Sequence, residues 1–61
     1  MNTVDATNRV RAEYREMPGM QLTLRQAARL FALEIEHCET VLQELVRLEF
    51  LAYTNGVFHR R

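Results

Sequence analysis

Residues 22–51 read LTLRQAARLFALEIEHCETVLQELVRLEFL, and the spacing of apolar residues along this stretch decides the fold. Leu24, Ala27, Ala28 and Phe31 recur at intervals of three and four, which places them on one side of a helix at 3.6 residues per turn. Cys38, Val41, Leu42, Leu45 and Leu48 repeat the pattern more strongly. The segment Ala32-Leu33-Glu34-Ile35 separates the two runs, so the spacing predicts two short amphipathic helices, over 24–32 and 36–48, turned sharply against each other around a shared core. Thr23 precedes the first of them and Gln26 stands three residues later. That is the spacing of a capping box, in which each side chain satisfies a backbone donor of the other and the cap contributes about 1 kcal/mol.

Upstream, Pro18-Gly19 ends a first helix expected over 4–17. The residue before a proline is pushed out of helical geometry, and glycine permits a turn with positive φ. Thr3 or Asp5 is the expected cap. Val4, Val10, Tyr14 and Met17 form its apolar stripe, which is thin, so this helix is expected to lie across the other two rather than form their centre. Tyr14, Met17 and Met20 are then candidates for an exposed patch that a homodimer or a larger protein would cover. Downstream, Asn55-Gly56 stands between Phe50-Leu51-Ala52-Tyr53-Thr54 and Val57-Phe58-His59-Arg60-Arg61. Both positions of a tight hairpin turn need positive φ, which makes this dipeptide a strong hairpin signal. Leu51, Tyr53, Val57 and His59 alternate against Phe50, Ala52, Thr54 and Phe58, with Leu51 and either Val57 or Phe58 expected to pack on the third helix. An isolated hairpin is marginal in water, so docking on the third helix is expected, with Gln21 to Thr23 as a possible third strand. The expected buried set is Leu22, Ala28, Phe31, Ile35, Cys38, Leu42, Leu45 and Leu51; Ile35 lies in the turn, where exposure at a partner surface is the alternative.

A chain of 61 residues is read as a single domain, 1–61, with one modest core. Its hydrophobic share of 48% and its two glycines and one proline set it apart from disordered sequences. No apolar run approaches the length of a membrane span, and Cys38, the sole cysteine, precludes an internal disulfide, so a cytoplasmic setting is expected. Eight arginines balance eight acids with no lysine, and any basic face must therefore arise from segregation. Arg9, Arg11, Arg15, Arg25 and Arg29 precede the third helix and Arg60 and Arg61 follow it, whereas Glu34, Glu36, Glu39, Glu44 and Glu49 gather around it. Acids at the start of that helix also meet the positive end of its dipole. No nucleophile with a base at credible spacing, phosphate loop, cysteine pair or converging ligand set is present. His37 and Glu36 diverge by about 100° on a helix, His59 is expected at a strand edge, and no cofactor, metal or enzymatic activity is expected.

Three helices followed by an Asn-Gly hairpin resemble a winged helix-turn-helix domain of the kind found in small bacterial regulators. The resemblance covers about Tyr14 to Arg61 and is carried most specifically by AARLFALEIEHCETVLQELVRLEFL, residues 27–51. The class it implies is mainly α with a β-hairpin: a three-helix winged helix-turn-helix fold. Ala28 matches the small residue of the first motif helix, Ala32 stands where the motif usually has glycine, and Cys38 takes an inward position often held by valine or isoleucine. Glu49 stands where glycine commonly links the third helix to the wing; a left-handed conformation there costs roughly 1 kcal/mol. The family implies double-stranded DNA as partner and a transcription-regulatory or accessory role. Arg25, Arg29, Arg60 and Arg61 would meet phosphates, with His37, Thr40 and Gln43 approaching the bases. The alternative is a protein-interaction module or homodimeric adaptor that uses the acidic face of Glu36, Glu39 and Glu44.

Overall fold

The computed structural model describes residues 2–61. Helix α1 spans Thr3–Glu16, strand β1 Gln21–Leu22, helix α2 Leu24–Leu30, helix α3 Ile35–Arg47, strand β2 Leu51–Thr54 and strand β3 Val57–Arg60. The three strands form one antiparallel sheet in the order β1-β3-β2. This is the mainly α architecture with a β wing that the helix periods and the Asn-Gly signal predict, and it is winged-helix-like. The strand expected at Gln21 to Thr23 is present as β1.

Local chemistry accounts for the element ends. Asn2 caps α1, its side chain accepting from the Asp5 N–H at 2.8 Å, which moves the cap one residue ahead of Thr3 and three ahead of Asp5. A turn from Met17 to Met20, closed by a 2.9 Å backbone bond, holds Pro18-Gly19. Gly19 lies outside the left-handed region, so proline rather than glycine is what that turn requires. The capping box at α2 is complete: the Gln26 N–H donates to Thr23 Oγ1 at 3.1 Å, and the Thr23 N–H donates to Gln26 Oε1 at 2.9 Å.

Helices α2 and α3 end in the same way, slightly earlier than their apolar periods suggest. Ala32 has φ 56° and Glu49 φ 63°. After α2, the Ala32 N–H reaches the Arg29 carbonyl and the Leu33 N–H the Ala28 carbonyl; after α3, Glu49 and Phe50 repeat this with Val46 and Leu45. Each is a paired closure of a helix terminus around one left-handed residue, the role glycine fills without steric cost. Ala32 and Glu49 are exposed, so glycine removes no buried contact. Glu49 loses only a 3.9 Å ion pair with Arg61 between exposed groups. Ala32→Gly and Glu49→Gly are each expected to raise stability by about 1 kcal/mol, measured as an increase in the denaturation midpoint. Unchanged or lowered midpoints would show that the left-handed turns carry no removable strain.

The core joins α1, α2, α3 and the sheet through Ala6, Val10, Tyr14, Ala27, Phe31, Cys38, Val41, Leu42, Leu45, Leu51 and Phe58. Five of the eight expected core residues lie in it, and three do not. Leu22 and Ala28 are half-buried, with Ala27 taking the inner position on α2, and Ile35 is 43% exposed because α3 begins at that residue and points it away from the core. The first helix corrects its expected stripe as well. Ala6, Val10 and Tyr14, spaced by four, are fully buried, while Val4 and Met17 fall outside that line and are exposed. Tyr14, expected in an exposed patch, instead donates its hydroxyl to the Phe58 carbonyl at 2.9 Å and ties α1 to the central strand.

The two-residue turn pairs Thr54 with Val57, and hence Tyr53 with Phe58 and Leu51 with Arg60. Opposed residues share a face. The face that holds Leu51 is therefore completed by Tyr53, Phe58 and Arg60, with Leu22 joining through its pairing with Phe58, and not by Val57 and His59 as the alternation read from each strand alone suggests. Asn55 and Gly56 both have positive φ, at 53° and 84°, as the hairpin requires.

Candidate nucleic-acid interface

Arg25 and Arg29 stand one turn apart on α2 and are exposed. With Gln26 and Leu30 they border an open depression on the outer side of the helix. Neither guanidinium has an ion-pair partner among the described residues. The cap at Thr23 fixes the register of α2, and α3 and the half-buried side of α2 hold it in place, so the two arginines project from a rigid element.

On α3, the core positions Cys38, Val41, Leu42 and Leu45 turn Glu36, Glu39 and Gln43 outward, all three exposed. They form the stripe expected of the outer face. Three neighbouring candidates are directed elsewhere. His37 is half-buried, with Nε2 3.4 Å from Thr3 Oγ1 on α1. The Thr40 hydroxyl donates to the Glu36 carbonyl at 3.1 Å, and Thr40 and Glu44 both line a groove shared with α1. Glu44 also accepts from Arg47 through two nitrogens, and these hydrogen bonds hold its carboxyl below the usual carboxylate range. Its negative charge is thus offset on its own helix, which leaves Glu36 and Glu39 as the acids of the stripe without an ion-pair partner among the described residues.

The wing carries its charge at its base. Arg60 lies beside Phe50, its guanidinium carbon 4.1 Å from the ring centroid, with a buried Nε that has no hydrogen-bond partner among the described residues. Stacking on an aromatic face leaves the outer guanidinium nitrogens as the groups that can reach an anion. Arg61 is 3.9 Å from Glu49. The tip at Asn55-Gly56 is uncharged, and His59 bridges its own hairpin through Thr54 Oγ1 at 3.1 Å. Arg9 donates to the Phe31 carbonyl at 3.1 Å and closes the end of α2.

The structure therefore exposes Arg25 and Arg29 side by side on α2, sets Gln43 on α3 one turn after Glu39 and one turn before Arg47, and directs His37 and Thr40 toward α1. The groove between α1 and α3 was not legible as a site, because its apolar lip consists of Val4 and Leu48, one read as stripe and the other as inner face. The signal that separates Val4 is numerical: Ala6, Val10 and Tyr14 keep an interval of four that excludes residue 4. Among the described residues no group of three or more acidic, histidine or cysteine side chains converges as metal ligands would, and no helix is long and apolar enough to cross a membrane. Comparisons with protein-family models, curated proteins and solved structures gave no significant match to this chain.

Proposed function

We propose that this chain binds duplex DNA in a transcription-regulatory or accessory role, with α2 set against the phosphate backbone. The observation that carries the reading is the pair Arg25 and Arg29, exposed on one face of α2 and free of carboxylate partners among the described residues. In helix-turn-helix proteins the first motif helix crosses the backbone while the second presents side chains to the groove. On this arrangement α3 offers Gln43, whose amide suits adenine, and Arg60 and Arg61 add cations from the base of the wing.

Glu36 and Glu39 oppose this binding through repulsion, since phosphate contacts supply most non-specific affinity. Affinity for arbitrary duplexes is accordingly expected to be low and steeply dependent on salt. Fluorescence anisotropy with a labelled duplex across a salt series tests the reading. Replacing Arg25 and Arg29 together by alanine is expected to weaken binding to all duplexes and to reduce the salt slope by nearly 2, at roughly 0.9 per lost phosphate contact. Glu36→Gln with Glu39→Gln is expected to strengthen binding to arbitrary duplexes. Unchanged binding in the double-arginine variant rejects this footprint, and undetectable binding of the unaltered protein at low salt rejects the DNA reading.

A second reading, a protein-interaction module, is favoured by the same acidic stripe. Ile35 is exposed beside Glu36 and Glu39, and an apolar side chain flanked by carboxylates that have no ion-pair partner among the described residues suits a basic, partly apolar protein surface better than a polyanion. Absence of duplex binding at low salt, together with partner loss on neutralising Glu36 and Glu39, distinguishes it.

A further inference from the structure

Two exposed patches flank the turn between α2 and α3, and they carry opposite charge. Arg25 and Arg29 stand on the outer side of α2 beside Leu30, which is 53% exposed. Ile35, 43% exposed, opens α3 and is followed by the exposed Glu36 and Glu39. His37, Thr40 and Glu44 take the flank of α3 that faces α1, so Ile35 and Glu39, one turn apart, fall on the opposite flank. Neither the two arginines nor the two glutamates have an ion-pair partner among the described residues. Along the chain the order is cation, cation, apolar, apolar, anion, anion.

We propose that this face binds a second copy of the chain about a twofold axis beside the turn between α2 and α3, with Arg25 of each copy against Glu39 of the other, Arg29 against Glu36 and Leu30 against Ile35. A twofold interface must be self-complementary. The order of the two patches meets that condition, because on reversal each cation meets an anion and the apolar side chains meet at the centre. A partner of a single sign does not match both patches. A polyanion attracted by α2 is repelled by Glu36 and Glu39, and a basic surface suited to α3 is repelled by Arg25 and Arg29. The formal net charge of zero also leaves no overall repulsion between copies.

The inference names a partner for the protein-interaction reading of the acidic stripe and rests on that reading. The dimer should be weak. A standard interface takes about 800 Å² from each partner, which is about a fifth of the 4154 Å² this chain exposes, and these side chains cover less. A dissociation constant on the order of 100 μM is expected, in the range of small transient interfaces. The contact covers Arg25 and Arg29 and so competes with duplex for them, but well below that concentration the face is open.

Sedimentation velocity of the protein alone, from about 5 μM to 1 mM at low salt, tests it, with circular dichroism confirming that each variant is folded. Arg25→Glu alone and Glu39→Arg alone each turn the pairing of residues 25 and 39 repulsive at both of its occurrences and are expected to raise the dissociation constant about tenfold. Folding is retained in both, because residue 25 lies in the first turn of α2, where an acid is favourable to the helix, and residue 39 is exposed beyond the first turn of α3. An equimolar mixture of the two variants regains association, since every cross-pair of the mixed dimer then joins opposite charges, and so does the double variant Arg25→Glu with Glu39→Arg. A strictly monomeric unaltered protein at 1 mM overturns the proposal; partner loss on neutralising Glu36 and Glu39 still decides the protein-interaction reading separately. Association that is indifferent to both reversals, that the mixture fails to restore, or that grows beyond the dimer overturns it as well.

Discussion

Tyr14→Ala is expected to leave the chain largely unfolded in water. The side chain is fully buried and joins α1 to the rest of the core. Truncating a buried aromatic residue costs about 3 to 5 kcal/mol through lost transfer energy and the cavity left behind. The total stability of a domain this small is roughly 3 to 9 kcal/mol, so the loss is comparable to the whole. The variant also strands the Phe58 carbonyl that accepts from the tyrosine hydroxyl. Tyr14→Phe isolates this second effect, keeping the ring and losing only the bond, with an expected cost of about 1 kcal/mol. Urea titration followed by circular dichroism measures both. A Tyr14→Ala variant with a near-normal midpoint would show that α1 is not part of the cooperative core.

Alkaline pH is expected to destabilise the protein through the same residue. Burial opposes the charged phenolate, and the neighbouring Cys38 opposes it further, so the Tyr14 hydroxyl is pushed up to about 12 from an ordinary value of 10. In the unfolded chain the hydroxyl ionises near 10, whereas in the folded chain it keeps its proton. The folded state therefore binds more protons between pH 10 and 12, and stability falls as pH rises through that window. The loss is roughly 1.4 kcal/mol per pH unit and roughly 2 to 3 kcal/mol by pH 12. Burial pushes the Cys38 thiol up in the same way, so its contribution also declines above its ordinary value of 9.0. Tyr14→Phe removes the tyrosine part: this variant should be less stable than the unaltered protein below pH 10 and more stable than it near pH 12. Parallel stability curves for the two proteins across that range would contradict the assignment to Tyr14.

The two halves of the charge pattern have different origins in the fold. The acids near the start of α3 are favourable to that helix whatever the domain binds, because they meet its positive end. Arg29, in the last turn of α2, meets the negative end of that helix's dipole, whereas Arg25 receives no comparable local explanation; both lie on a helix that contains no acid. Arg9 and Arg47, by contrast, are engaged by the Phe31 carbonyl and the Glu44 carboxylate. The exposed pair on α2 is available to an external anion, as are Arg11 and Arg15 on α1, which also lack ion-pair partners among the described residues; the α2 pair was visible in the sequence as two arginines four apart without a carboxylate at helical spacing.

What the sequence by itself determined about this protein is what depends on a few consecutive residues. Thr23 and Gln26 form their capping box, Asn55-Gly56 makes the two-residue turn, and Cys38, Val41, Leu42 and Leu45 face inward, because backbone donors, turn dihedrals and helical period act within one or two turns of chain. The left-handed conformation at Glu49 was legible through the resemblance alone, in which glycine commonly stands at that position. The interval of four through Ala6, Val10 and Tyr14 was present in the sequence beside the line through Val4, and packing against α3 and β3 is what buries the first and leaves the second exposed. Tertiary structure alone decided that Tyr14 would find a partner 44 residues away in Phe58, that His37 and Thr40 would turn toward α1, and that Arg60 would rest on Phe50. Each of these depends on how rigid elements stack in three dimensions, and the contact that fixes it lies beyond the reach of any local pattern.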